Sequence, residues 1–429
     1  MSSSLLVSPV RTVGDRHTGE GHGAPPRAAS WWQRCLRRRV HARLANLRSG
    51  ALELADGVGT VVLGDPSGEF GRLRLRVRDP AFYDTLARAG AVGAGEAFVE
   101  GLWHADDLVA VLRVLVRDRD VLLDVDRSTW SLPRRLALRL AYRLRRNSRT
   151  GSRQNIADHY DLSDGLFRRF LDPTMTYSSA WFAEPGQSLE AAQREKLRRL
   201  CELVDLGAGD RLLEIGTGWG SLALTAARDF GAEVTTTTIS DNQFAEASRR
   251  VAEAGLRDRV TLLRRDYRDL EGTFDKLISC EMIEAVGADY LPGYLRACAA
   301  RLRPGGILGL QAITIRDQHY RSALRNVDYI KRHVFPGSFI PSIGAITRTA
   351  SAHTDLQLVH MQDFGLHYAE TLRRWRQTWE DAGPPVIAGG GGERLLRAWS
   401  FYFAYCEAGF RERHIGVCHM RFERPGVRR

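Results

Sequence analysis

The chain has 429 residues, 62 Lys and Arg against 51 Asp and Glu, a formal charge of +11, and is 44% hydrophobic and 26% charged. Such a length and apolar share fill more than one core and predict two or three domains; they exclude disorder, a collagen-like repeat and a coiled coil as the whole-chain description. No uninterrupted apolar run reaches the ~20 residues needed to cross a bilayer, since even ILGLQAITI at 307–315 is broken by Gln311.

No hydrophobic segment follows the amino-terminal arginines as a signal peptide would require, so the expectation is a cytoplasmic protein, soluble or held peripherally at the inner face of a membrane. Six scattered cysteines, Cys35, Cys201, Cys280, Cys298, Cys406 and Cys418, form no CxxC pair, and neither a disulfide nor a metal site is expected. Only three lysines, Lys196, Lys276 and Lys331, occur, so nearly all the positive charge is arginine. It clusters at 34–48, beside Trp31 and Trp32, and at 134–153 on a Leu-rich helical pattern, either a solvated helix face or a surface for anionic headgroups. No helix-turn-helix, zinc-finger or RRM signature accompanies it, and nucleic acid is not an expected partner.

Residues 1–30 are rich in Ser, Gly, Pro and charge and read as a disordered tail. From 31 to 126, alternating runs such as GRLRLRV (71–77) mix with apolar helical runs such as LVAVLRVLV (108–116), predicting a small α+β domain. A basic linker helix is expected over 127–153, and the remainder, 154–429, forms one large domain. There RLLEIG (211–216), AEVTTTTIS (232–240), VTLLRRDY (260–267), FDKLISC (274–280) and ILGLQAITI (307–315) alternate with amphipathic helices, as a doubly wound parallel α/β sheet requires. Two later runs, LQLVHMQDF (356–364) and GVCHMRFER (416–424), are expected to pair antiparallel at one edge, and 320–350 and 366–413 to be helical insertions covering the site.

The first of these strands ends in Glu214-Ile215-Gly216-Thr217-Gly218-Trp219-Gly220 and runs straight into a helix. Glycines there allow a tight bend and close backbone approach to a ligand. A dinucleotide site would show G-x-G-x-x-G and an acid closing the second strand. Here the spacing is G-x-G-x-G and the strand closes in Thr238-Ile239-Ser240, with Gln243 beyond, which suits a nucleoside without a pyrophosphate. Asp266-Tyr267-Arg268-Asp269 could then hold an adenine.

With HYDLSDGLFRRFLDPTMTYSSAWF (159–182), LLEIGTGWG (212–220), CEMIEAVG (280–287), RLRPGG (301–306), FPGSFIPSI (335–343) and HYAETLRRW (367–375), the sequence resembles the cyclopropane-fatty-acyl-phospholipid and mycolic-acid cyclopropane synthases, S-adenosylmethionine-dependent methyltransferases. The likeness spans roughly 60–425, and 76–112 resembles the phospholipid-recognising domain of the full-length bacterial enzymes. It implies a mostly parallel, seven-stranded Rossmann-like methyltransferase sheet, often in a homodimer. The cofactor contacts it implies are Tyr177, Ser178, Gly216, Gly218, Thr238, Gln243, Tyr267 and Arg268. It further implies a bicarbonate ion beside the reactive methyl, held by positions corresponding to Ser179, Glu284, Gln311, Ile313 and Tyr368. Ser179 stands where the family has Cys and Gln311 where it has His, and Gln cannot become cationic or shuttle a proton.

The implied reaction delivers one carbon to the double bond of an unsaturated phospholipid acyl chain. An alkene is a weak nucleophile, so it must lie within ~3–3.5 Å of the sulfonium methyl in a dry chamber. Tyr177, Trp181, Phe182 and Tyr368 are candidates to face the resulting cation, with core packing as the alternative for each. An acyl tunnel is expected from Tyr329, Phe335, Phe339, Ile343, Trp399, Phe401, Tyr402 and Phe403. Three readings stand open: cyclopropanation, with methyl or methylene branching as its variant; methylation of another apolar alkene, an isoprenoid or polyketide; and a nucleoside-binding protein that has lost catalysis.

Overall fold

The structure, a computed structural model, describes residues 29–119, 164–383 and 392–426. The basic linker at 127–153, the HYDLS stretch at 159–163 and the amino-terminal tail to residue 28 lie outside them. The described residues fall into two compact units.

The first unit holds α1 (Trp31–Leu44), the strands β1 (Ala51–Asp56), β2 (Gly59–Gly64) and β3 (Arg72–Val77), then α2 (Ala81–Val99), β4 (Trp103–Ala105) and α3 (Leu108–Arg117). Its sheet runs β2-β1-β3-β4, with β1 and β3 parallel and the outer pairs antiparallel. The RLRLRV alternation of β3 buries Leu75 and Val77 and turns Arg72, Arg74 and Arg76 to water, as period two dictates. Ser30 and Gln33 close a reciprocal capping box on α1. So small a sheet cannot bury enough apolar surface by itself, and residues 328–334 and 392–402 join this unit. Tyr329 packs edge-on to Phe401 at 4.8 Å, and Phe401 lies 5.5 Å from Phe98.

The second unit is built on a seven-stranded sheet, order β10-β11-β9-β8-β5-β6-β7. Its strands are β5 (Arg211–Ile215), β6 (Glu233–Thr237), β7 (Val260–Leu263), β8 (Phe274–Cys280), β9 (Leu302–Ile315), β10 (Gln357–Asp363) and β11 (Ile415–Glu423). Strands β5 to β9 are mutually parallel, β11 is antiparallel to β9, and β10 antiparallel to β11. Its helices include α4 (Leu189–Leu203), α5 (Ser221–Asp229), α6 (Asp241–Glu253), α7 (Leu291–Arg301), α8 (Asp317–Arg325), α9 (Ile343–His353) and α10 (Gly365–Asp381).

Alternate residues of β5 serve opposite faces. Leu212 joins α4 and α5 in one core, while Leu213 joins α7 and α9 in the other. Helices therefore cover both faces of a mostly parallel sheet, the doubly wound arrangement expected. Its carboxyl strand ends, where β5, β6, β8 and β9 give way to loops, are where ligands bind in such sheets.

The two late strands do pair antiparallel at an edge, but in the order β10-β11-β9, so that the later strand lies inside the earlier one. Of the residues expected to line a tunnel, Tyr329, Trp399, Phe401 and Tyr402 belong to the first unit, and Phe335, Phe339, Ile343 and Phe403 to the second. Among the described residues no helix is long and apolar enough to cross a membrane.

Candidate active site

The turn after β5 carries three glycines at positive φ: Gly216 at 101°, Gly218 at 51° and Gly220 at 88°. The N–H groups of Gly216 and Thr217 both donate to the Thr237 carbonyl at 3.1 Å, locking the turn to the end of β6. A Cβ on Gly216 would meet the Met282 side chain and one on Gly220 would meet Ala247, whereas one on Gly218 would meet no protein atom within 4 Å. Gly218 thus exposes bare backbone to open space, as a ligand that approaches the main chain needs.

At the end of β6 the Thr238 hydroxyl donates to Gln243 Oε1 at 2.9 Å, and Ser240 caps α6 by accepting from Gln243 N–H. Thr238 and Gln243, paired in the expected contact set, are joined in space. Tyr267 and Arg268 form a short 3-10 turn after β7, capped by Asp266. Asp266 accepts from Arg268 Nε and Nη2 at 2.7 and 2.6 Å, and the guanidinium carbon lies 5.4 Å from the Tyr267 ring centre. Tyr267 is in turn edge-on to Tyr294 at 5.4 Å.

The 174–182 loop is pinned from three sides. Gln193 on α4 donates to the carbonyls of Thr176 and Ser178, and Thr371 and His367 on α10 accept from Ala180 and Phe182 N–H. Tyr177 sits among Phe167, Phe170, Phe335 and Trp375. The Ser178 hydroxyl accepts from the fully buried Lys196 Nζ at 2.7 Å.

This pinning aims Ser179 N–H at a carboxylate that the sequence reading did not single out, Glu281. Its Oε1 accepts from Ser179 N–H at 3.0 Å and from Gln311 Nε2 at 2.7 Å, and its Oε2 from the Tyr368 hydroxyl at 2.8 Å. Glu281 follows β8 directly, in the left-handed region at φ 50°, and its own N–H donates to the Gln311 carbonyl at 2.8 Å. A residue with a β-carbon pays for that conformation, and such strain clusters at functional sites.

Register explains the convergence. Gln311 on β9 lies opposite Cys280 on β8 and opposite His419 on β11. His419 Nε2 stands 2.9 Å from Gln311 Oε1. Because the Gln311 amide nitrogen donates to Glu281, its carbonyl accepts, and His419 carries its proton on Nε2. Burial, then the Lys196 and Arg199 charges, lowers the His419 pKa to about 3, so it is a neutral donor.

Glu284, three residues on, accepts from Ile313 N–H at 2.5 Å through Oε1, while its buried Oε2 has no hydrogen-bond partner. Ile313 thus enters through its N–H. Burial raises both carboxyls, and the Glu281 charge adds to the rise of Glu284, to about 8. Ser179 N–H, Gln311 Nε2, the Lys196 charge and the Tyr368 hydroxyl oppose the effect of burial on Glu281 and favour its charged form, whereas Glu284, pushed up to about 8, holds its proton at neutral pH. Glu214 on β5 is also pushed up to about 8 by burial.

All five positions assigned to the ion, Ser179, Glu284, Gln311, Ile313 and Tyr368, therefore meet, but three of them are engaged by Glu281. A second anion among the same donors would stand against that carboxylate, so the arrangement does not fit a bound bicarbonate. Of the aromatic candidates, Trp181 lies under the Arg199 guanidinium at 4.2 Å and Phe182 under Arg374 at 4.6 Å. Those two rings already face cations. Among the described residues no group of three or more His, Cys, Asp or Glu is placed to hold a metal ion.

A seven-stranded sheet with one antiparallel strand inserted next to its edge, a glycine turn after the first parallel strand and polar residues closing the second define the class: S-adenosylmethionine-dependent methyltransferases. Residues 147–420 match the mycolic acid cyclopropane synthetase family. Tuberculostearic acid methyltransferase of Mycobacterium tuberculosis is 40% identical over 357 residues, 81% of this chain and 82% of that one. Cyclopropane-fatty-acyl-phospholipid synthase of Escherichia coli is 33% identical over 383 residues, 87% and 92% of the two chains. A mycolic acid cyclopropane synthase crystallised with S-adenosylhomocysteine is 27% identical with a TM-score of 0.59, covering 63% of this chain and 98% of its own. The chain belongs to the mycolic acid cyclopropane synthetase family.

Proposed function

We propose that this methyltransferase transfers the methyl of S-adenosylmethionine to the double bond of an unsaturated phospholipid acyl chain and closes a cyclopropane. Gly216, Gly218, Thr238, Gln243, Tyr177, Ser178, Tyr267 and Arg268 are the residues that would hold the donor, which supplies an electrophilic methyl on a positively charged sulfur. The open backbone face at Gly218 and the joined Thr238–Gln243 pair fit such a nucleoside. The observation that carries the reading is a buried carboxylate pair, Glu281 and Glu284, beside the glycine turn, because a cation made from an alkene must lose a proton to finish. Similarity over 92% of a cyclopropane-fatty-acyl-phospholipid synthase supports a phospholipid substrate.

The exposed Trp31 and Trp32 at the start of α1, followed by exposed Arg34, Arg38 and Arg39, suit the headgroup layer of an anionic bilayer and support action at a membrane surface. A homodimer is part of the same reading, with sedimentation velocity as its check. Similarity to a tuberculostearic acid methyltransferase favours a second outcome, a methyl-branched chain from the same cation. Incubation with S-adenosylmethionine and vesicles of a monounsaturated phosphatidylglycerol should release S-adenosylhomocysteine and add one carbon to the acyl chain. Gas chromatography with mass analysis then distinguishes ring from branch, and lipid recovered unchanged would overturn the reading.

A further inference from the structure

We propose that Glu281 is the site's built-in anion: its carboxylate fills the place assigned to a dissociable bicarbonate and itself takes the proton that ends the reaction. The inference rests on the methyl-transfer reading above, but its geometry is independent of the lipid's identity.

The donors that would cradle a small oxyanion all point at this side chain. Ser179 N–H and Gln311 Nε2 reach one oxygen and the Tyr368 hydroxyl the other, at 2.7 to 3.0 Å. A carboxylate and a bicarbonate share the same planar pair of oxygens, so one set of donors serves either but not both at once. The left-handed backbone at φ 50° turns the side chain back under the 174–182 loop, and the N–H to Gln311 carbonyl bond fixes that bend. The next residue, Met282, abuts Gly216, which places Glu281 beside the turn that would hold the donor. Gln311 suits this arrangement where a histidine would not be needed: it bridges the neutral His419 N–H to an anion already in place and has no proton to deliver.

The step balances without another reagent. The alkene π pair forms the new bond to the methyl carbon, and the C–S pair stays on sulfur, leaving S-adenosylhomocysteine and a cation on the second alkene carbon. A C–H pair of the transferred methyl then becomes the third ring bond and its proton passes to the Glu281 carboxylate. Loss of a proton from a neighbouring chain carbon instead leaves a branched alkene.

The test uses the full-length protein, S-adenosylmethionine and monounsaturated phosphatidylglycerol vesicles, in carbon-dioxide-stripped buffer with and without added bicarbonate. Wild type is expected to turn over at one rate in both. Glu281→Gly, which relaxes the backbone strain, should lose at least ~100-fold in stripped buffer, within the range for a missing general base, and recover in part with bicarbonate. S-adenosylmethionine affinity by calorimetry should be unchanged. Independently of turnover, crystals soaked in bicarbonate should show the ion between Ser179 N–H and the Tyr368 hydroxyl in Glu281→Gly and not in wild type. Bicarbonate-stimulated wild type, a fully active Glu281→Gly in stripped buffer, or wild-type crystals holding the ion with Glu281 displaced would each overturn the proposal. Absence of S-adenosylhomocysteine release by wild type would sink the lipid reading, while the soaked crystals would still decide the place of Glu281.

Discussion

Gln311 shows how much one side chain organises here. Its amide spans two buried partners, accepting from His419 and donating to Glu281. Gln311→Leu removes both bonds and leaves the His419 N–H buried without an acceptor, a loss of about 1–3 kcal/mol in stability. In that background His419→Phe deletes the orphaned donor and should restore most of the stability, but not the rate, because Glu281 still lacks a donor. Denaturant titration beside S-adenosylhomocysteine release measures the two; rate recovering with stability would show that Gln311 serves packing alone. The sequence singled out Gln311 as a departure from its relatives and left its partners hidden. Glu281 stood in the quoted CEMIEAVG motif, yet the reading rested on Glu284, since nothing in the letters tells that a residue after a strand adopts left-handed backbone and swings toward a loop a hundred positions earlier. Lys196 and His419 were likewise missed: nothing local marks a lysine in a charged helix or a histidine in a strand until packing buries the one and register the other.

Among the elements, the glycine turn after β5 was the most legible, because strand, glycines and helix lie within a few residues of each other. Its three glycines nevertheless differ in kind. Substitution at Gly216 or Gly220 would press on Met282 or Ala247, but Gly218 is clear of protein. Gly218→Ala should therefore cost only about 1–2 kcal/mol of folding stability, for a β-carbon in left-handed backbone. It should weaken S-adenosylmethionine binding at least tenfold, the new methyl occupying the ligand's side of the turn. Calorimetric titration with thermal melts checks this, and unchanged affinity would place the cofactor elsewhere. The late strands were legible as strands and as an antiparallel edge pair, while their spatial order was not, for that order is decided by which backbone edge is left unpaired after β9 forms.

Across the whole molecule, the alternation of strands and helices foretold the doubly wound sheet, since each strand–helix unit writes its own period into the sequence. The allotment of 328–334 and 392–402 to the smaller unit was not foretold, because their aromatic runs look the same whichever core receives them. Buried acids set the response of the fold to pH. Folding raises the proton affinity of Glu284 and Glu214 from the ordinary 4.5 to about 8, so their contribution is full below 4.5 and is lost as the pH climbs through about 8. His419 acts oppositely: lowered from 6.5 to about 3, its contribution is present above 6.5 and is lost as the pH falls toward 3. Melting temperature should accordingly be highest in mildly acidic buffer and decline toward pH 8, and Glu284→Gln should flatten the alkaline decline. A wild-type profile that rises steadily from pH 5 to pH 8 would contradict the buried, proton-holding state of these acids.

The inner position of β11 also has a bearing on how the enzyme comes into being. Ile415 pairs with Ile315, so the ribosome must make everything between before this strand can slide in beside β9. Until then His419 cannot steady Gln311, and a nascent chain carries the glycine turn without the completed Glu281–Gln311–His419 cluster. If the proposed role of this cluster holds, a partly synthesised copy lacks a working methyl-transfer centre until that strand arrives.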